Sequence, residues 1–172
     1  FYSRMTNHLG FKPNDEGKLM GLQAYGKPNK KIENILSKDD LFVYKDKADK
    51  RINFSVNVEE YPELYYHKKL GYKQIHYDIA YESQKQFELQ IVNILRRFIH
   101  NTKNVIITGG CGLNVVFNYV LRKSLPSDIN LYVDPLCGDE GNSIGAAITY
   151  AKYCGTRNNF DNIYLGPEPV YN

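Results

Sequence analysis

From residue 78 onward the apolar positions of this 172-residue chain fall into clear periods. Phe87, Ile91, Ile94, Leu95 and Phe98 recur at i, i+4, i+7, i+8 and i+11, the spacing of one helical face, and Asp78 reads as the N-cap. The pattern predicts a helix over 79–100. "NVIIT" (104–108) is a short continuous apolar run, the mark of a buried strand. Leu113, Val116, Phe117, Val120 and Leu121 then restore the helical stripe and predict a helix over 112–124. "INLYV" (129–133) predicts a second strand, and "DEGNSIGAAITYAKY" a third helix over 140–153. Gly141, Gly145 and Thr149 share one face of that helix, where another backbone or a ligand can approach closely. Helix, strand, helix, strand, helix is an α/β layered unit.

The first half is less regular. "DEGKLMGLQAYGKP" (15–28) carries Gly17, Gly21, Gly26 and Pro28 and reads as an ordered loop with little regular structure. Ile32, Ile35 and Leu36 give a short helical stripe. "LFVYKDKADKRINFSV" (41–56) is two β-rich runs around a charged connection, a hairpin. Residues 59–77 show no period and read as a surface excursion. The mixture of Tyr and Lys there raises nucleic-acid contact, but a solvated loop is the simpler reading.

The candidate chemistry lies where strands hand over to helices. "VIIT" ends in "GGCGLN" and "LYV" ends in "DPLCGDEGN". Parallel strands of one sheet present their carboxyl ends on one edge, where ligands bind. Each turn also leads into a helix N-terminus, whose free N–H groups favour phosphate or carboxylate oxygens. Ordinary turn chemistry accounts for one glycine-rich turn; a pair side by side points more strongly to a ligand. Familiar nucleotide motifs fail, however. G-x-G-x-x-G read from Gly110 meets Gly112 and then Val115, and no G-x-x-x-x-G-K-[ST] is present. Asp139 reads two ways, as a cap for the helix beginning near Glu140 or as a ligand for a divalent cation, and spacing alone favours the cap.

Composition narrows the classes. A hydrophobic content of 42% over 172 residues supports one domain with a core. No run approaches the roughly 18 apolar residues that span a bilayer, and "FYSRMTNHLG" lacks the apolar stretch of a secretory leader. A formal charge of +3 is too mild to argue for nucleic acid, which is not expected as a partner. Cys111, Cys137 and Cys154 form an odd set without metal spacing, which fits a reducing cytoplasm. His8, His67, His76 and His100 are scattered, which argues against a self-contained His-based metal site. The start on Phe1 and the Gly/Pro segment "LGPEPVYN" suggest a piece of a larger protein.

Five ordered blocks carry a resemblance: "EGKLMGLQAYGKP", "DIAYESQKQFE", "NVIITGGCGLNVVFNYVLR", "INLYVDPLCGDEGNSIGAAITYA" and "LGPEP". The chain resembles the O-carbamoyltransferases of antibiotic and nodulation-factor biosynthesis. Their typical blocks read K-x-M-G-L-A-P-Y-G, then G-G-x-A-L-N with a following N, then P-x-x-G-D-x-G-x-x-x-G-A-A. The likeness covers residues 1–29 and 75–170, with 30–74 aligning poorly. Gln23-Ala24 replaces the usual Ala-Pro, and Gly112 stands where Ala is common, a change that only removes a methyl group.

That resemblance implies an actin-like ATPase (ribonuclease H-like) lobe, a mixed sheet flanked by helices. Residues 1–165 would be the second lobe of the carbamoyltransferase domain, and 166–172 the start of a linker to a C-terminal domain that makes the adenylate. The implied reaction takes carbamoyl phosphate and ATP to carbamoyl adenylate, then moves the carbamoyl group to a hydroxyl of a small molecule. The glycine block would line the nucleotide through Gly109, Gly110, Cys111 and Gly112, with Asn114 as a polar contact and Gly138 from the second turn. Asp139 maps onto the aspartate that ligates the active-site metal, iron or a similar divalent ion, which turns the reading away from a cap. Lys18, Gly21 and Asn142 are further candidates for substrate or phosphate contacts. The remaining metal ligands, a pair of histidines spaced H-x-x-x-H, belong to the first lobe. The chain on its own is therefore expected to be inactive. A rival reading is a non-catalytic actin-like nucleotide-binding or assembly module; the tRNA-modifying relatives fit less well, because they lack the "KLMGLQAYG" block.

Overall fold

The structure, a computed structural model, describes residues 1–37, 42–44, 54–56 and 59–156. Helices α1 (Tyr2–His8), α2 (Glu16–Leu22) and α3 (Lys30–Leu36) come first, followed by strands β1 (Phe42–Tyr44) and β2 (Phe54–Val56). The long helix α4 (Gln74–Arg96), β3 (Asn104–Ile107), α5 (Val115–Ser124), β4 (Asn130–Val133) and α6 (Gly141–Tyr153) complete the order. β1 and β2 pair antiparallel, as the hairpin pattern requires, and β3 pairs with β4 in parallel. The described residues thus form a mixed α/β structure with two small sheets. The expected segment 157–172, including the linker, lies outside the described residues.

α4 is the spine, because each half of it closes a different core. Its N-terminal half meets Met5, Leu9, Leu19, Ile32 and Leu64 through Ile79 and Ala80. Its C-terminal half contributes Val92, with Phe87, Ile91 and Leu95, to a second cluster around Phe117 and Leu121. Ile107 and Leu131 pack on that second cluster and so fasten the parallel sheet to α4 and α5.

Several expectations are corrected here. α4 starts at Gln74 rather than 79, and its N-cap is Lys73, whose N–H is accepted by His76 Nδ1 at 2.8 Å. Asp78 lies inside the helix and is buried. It accepts from the Lys27 N–H at 3.1 Å, from Asn29 Nδ2 at 3.0 Å and from Gln74 Nε2 at 2.8 Å, so it ties the loop before α3 to α4. Burial raises its pKa, but those hydrogen bonds outweigh burial and leave it below the ordinary 3.8. Residues 15–25 are not a loop: α2 forms there, with a 3-10 turn over Gln23–Tyr25. Its Gly17 and Gly21 border open space, so they weaken the helix without crowding anything. Residues 59–77 are not a plain surface excursion either, since Tyr61 and Leu64 enter the first core and Tyr66 and Tyr72 pack against it. Ile94 and Phe98, placed on the buried stripe by spacing, are 54% and 65% exposed, because α5 covers only the Phe87–Ile91–Leu95 face. Leu113 is likewise 53% exposed, since it precedes α5 in the turn.

His8 gives the first core a pH dependence. Its Nε2 meets the Leu64 carbonyl. Burial, reinforced by the nearby His76, pushes its pKa from 6.5 down to about 4. Between those values the unfolded chain takes up a proton that the folded chain does not, so stability falls as pH drops through that window. Thermal unfolding should therefore show a melting temperature that declines from pH 6.5 to about 4. His8→Gln should flatten that decline, and an equal slope in both proteins would remove His8 from this role.

Candidate functional site

Val105, Ile106 and Ile107 lie opposite Leu131, Tyr132 and Val133 in register, and the Asp134 N–H extends the ladder to the Ile107 carbonyl at 3.1 Å. Both strands therefore deliver their turns to the same edge, as the sequence predicts. The strands are less buried than the apolar runs imply. Val105 is buried, but Ile106 and Tyr132 are 65% and 55% exposed, because α5 covers one face of the sheet.

In the first turn, Gly109 adopts φ 69°, a left-handed conformation that costs glycine little. Gly110–Leu113 forms a 3-10 turn, closed by Gly112 N–H to Gly109 O at 2.8 Å. Gly109, Gly110 and Cys111 are exposed, and nothing lies within 4 Å of a Cβ placed on either glycine. Their backbone is thus open to a ligand. Gly112 is different. It is buried, and an added Cβ would stand 2.9 Å from Cys137 Sγ of the second turn. The space that a methyl group would take at this position is filled by Cys137, so the two turns interlock there.

Asn114 does not project into the opening. It is 8% exposed, and its Oδ1 caps α5 by accepting the Phe117 N–H at 2.9 Å. It also exchanges two hydrogen bonds with Gln84. Asn118, one turn along α5, donates to the Gly112 carbonyl at 2.7 Å. Sequence reading missed Cys137, Gln84 and Asn118 as supports of the turn. Asn118 had a signal in its i+4 spacing from Asn114, whereas Gln84 and Cys137 are distant in sequence and had none.

In the second turn Asp134 Oδ1 accepts from the Leu136 N–H at 2.8 Å, and the backbone closes by Gly141 N–H to Gly138 O and Asn142 N–H to Asp139 O, both at 3.1 Å. The N-cap position of α6 is Glu140, with no side-chain cap bond, so Asp139 does not cap the helix. Its first amides are satisfied by turn carbonyls instead. Asp139, Glu140 and Asn142 are exposed, and the Glu140 carboxylate lies beside Gly138. Residues 104–121 carry no charge, whereas 129–145 carry Asp134, Asp139 and Glu140 with no Lys or Arg. The first turn thus suits an anion, and the acidic second turn suits a cation beside it. Among the described residues no three His, Cys, Asp or Glu side chains converge to hold a metal, so Asp139 could supply only part of such a site. Lys18 and Gly21 lie on α2, which packs on the first core, and Lys18 pairs with Asp15 at 2.9 Å.

A family model described as "Carbamoyltransferase N-terminus" matches residues 1–148, a span that includes both turns. The chain belongs to this carbamoyltransferase N-terminal family. An uncharacterized protein of Methanocaldococcus jannaschii is 34% identical over 159 residues, which cover 90% of this chain and 25% of the relative. Nodulation protein NolNO of Sinorhizobium fredii is 26% identical over 179 residues, 97% of this chain and 25% of its own length. Nodulation protein NolO of Bradyrhizobium diazoefficiens is 26% identical, with 98% of this chain and 31% of its own length covered. The chain spans about a quarter to a third of the length of the curated relatives it matches. Within the described residues no helix is long and apolar enough to cross a membrane, and Cys111, Cys137 and Cys154 are unpaired.

The Gly112–Cys137 contact predicts a coupled pair. Gly112→Ala alone should cost about 1–3 kcal/mol by overpacking against the thiol. In a Cys137→Ala background the same change should cost less than half as much. Equal costs in both backgrounds, measured by chemical unfolding, would show that the turns do not interlock through these residues.

Proposed function

We propose that this chain supplies one lobe of the nucleotide and metal site of an ATP-dependent carbamoyltransferase. The supporting observation is the pair of in-register parallel strands that brings an open, uncharged glycine turn beside an acidic turn in a member of the carbamoyltransferase N-terminal family. In this reading carbamoyl phosphate and ATP give carbamoyl adenylate, and the carbamoyl group passes to a hydroxyl on a small molecule. The β-α-β-α unit corresponds to part of an actin-like lobe, and residues 1–165 to its second lobe. The backbone of Gly109, Gly110 and Cys111 approaches the nucleotide, with Gly138 from the second turn, while Gly112, expected to line the nucleotide, acts through its packing on Cys137.

Asn114 acts in this scheme through the backbone, by holding the start of α5, rather than by touching the nucleotide. Asp139 is the residue to hold a divalent ion, which when bound would neutralise phosphate charge. Its other ligands come from a first lobe outside this sequence. In this scheme Asn142 contributes at the second turn, and Lys18 and Gly21 contribute from α2. The unpaired cysteines suit a cytoplasmic protein.

Two outcomes follow. With a lid and half the phosphate contacts supplied by other parts of the protein, the 172-residue chain alone should bind ATP only at millimolar strength, about −4 kcal/mol, and transfer no carbamoyl group. Calorimetry giving micromolar affinity would mean that the lobe carries a complete site. In a full-length protein bearing this segment, Asp139→Asn should weaken metal binding and carbamoyl transfer together while the fold is retained. Lowered melting temperature with unchanged metal content and turnover would instead make Asp139 a structural residue.

A further inference from the structure

Behind the first turn runs a buried line of polar side chains that no nucleotide contact requires. Gln84 and Glu88 stand one turn apart on α4 and are 1% and 4% exposed. Gln84 Nε2 donates to Glu88 Oε1 at 3.0 Å and to Asn114 Oδ1 at 3.1 Å. Gln84 Oε1 accepts from Asn114 Nδ2 at 3.0 Å and from the Tyr2 hydroxyl at 2.7 Å. Asn114 Oδ1 in turn accepts the Phe117 N–H at 2.9 Å. Both ends of this line have a fixed polarity. The Glu88 carboxylate, ion-paired with Lys85 Nζ at 3.2 Å, accepts from Gln84, and a backbone N–H can only donate. Between them each amide has one orientation that satisfies every neighbour; turning either around sets donor against donor. In a dry interior such a mismatch is costly, so the orientation is transmitted from one amide to the next.

We propose that Glu88 and Gln84 are positioning residues for the glycine turn: the Glu88 carboxylate orients the Gln84 amide, and Gln84 orients Asn114 so that it caps α5 and fixes the anion-facing backbone. This rests on the nucleotide reading of that turn and adds the residues outside the turn that set its affinity. Asn118 steadies the same turn from the other side, through the Gly112 carbonyl. Tyr2 brings α1 into the line, and its packing against Phe87 keeps the hydroxyl on Gln84.

The test uses Glu88→Gln, which preserves size but removes the fixed acceptor, with Glu88→Asp as the variant that restores a carboxylate. Hydrogen exchange is read at the Phe117 amide, and ATP affinity from NMR shifts of the Gly110–Gly112 amides. Loss of a helix cap should speed Phe117 exchange about fivefold relative to Leu121 on the same helix, and weaken ATP about fivefold. Gln84→Leu should do the same, and Glu88→Asp should recover most of both. Ile32→Val, in the first core, should lower stability without changing that exchange ratio or the affinity. If Glu88→Gln leaves the exchange ratio at its wild-type value, the relay is wrong. If the wild-type turn shows no shift with ATP, the nucleotide reading fails separately, and the Phe117 ratio still decides the relay.

Discussion

The parallel register of β3 with β4, which sets Ile107 beside Val133, governs everything at the candidate site. A strand slipped by one residue turns its side chains to the opposite face. Here that would lift Ile107 or Leu131 off the Phe117 cluster and present Ile106 or Tyr132 to it. It would also move one turn along the sheet edge relative to the other, and Gly112 would no longer meet Cys137. Register therefore fixes the packing on one face and the meeting of the turns at one end. Nothing in either turn could achieve this alone, because the first is open at Gly109 and Gly110 and the second packs Gly138 and Gly141 against its own Glu140 and Leu136.

The division of labour between the turns follows from charge. The glycine turn places uncharged backbone at the start of α5. The second turn offers backbone with carboxylates at the start of α6. A bare anion is repelled by the latter, whereas an anion carried with a divalent ion is matched by both. Asp139 is exposed and free of a capping role, as the proposed metal ligand requires, and the described residues hold no cluster of three ligands around it. The support beneath is equally asymmetric. α5 is held by Asn114 and by Gln84 of the long helix α4, while α6 has no buried residue.

What the sequence reveals follows from where the information sits. Local periodicity places α5, α6, the paired strands and the shared edge within a few residues, because apolar spacing and glycine turns are local signals. Asp78 misleads because a carboxylate before a helical stripe resembles a cap, whereas its partners Lys27 and Asn29 lie across the fold. Residues 59–77 mislead because Tyr61 and Leu64 fill the core from irregular backbone, which leaves no period to detect. Asn114 is picked out by its place after the glycines, but its role depends on Gln84, thirty positions earlier in the chain. The chemistry of the site is legible as a pair of turns; the buried groups that shape it are legible only once α4 is folded against α5.

The most direct measurement is a crystal structure of this chain grown with manganese and a non-hydrolysable ATP analogue at saturating concentration. Phosphate oxygens are expected within hydrogen-bonding distance of the backbone N–H groups of Gly109, Gly110 and Cys111, with the metal on the side of Asp139. A nucleotide bound elsewhere on the fold, or both turns empty at saturating ligand, would contradict it.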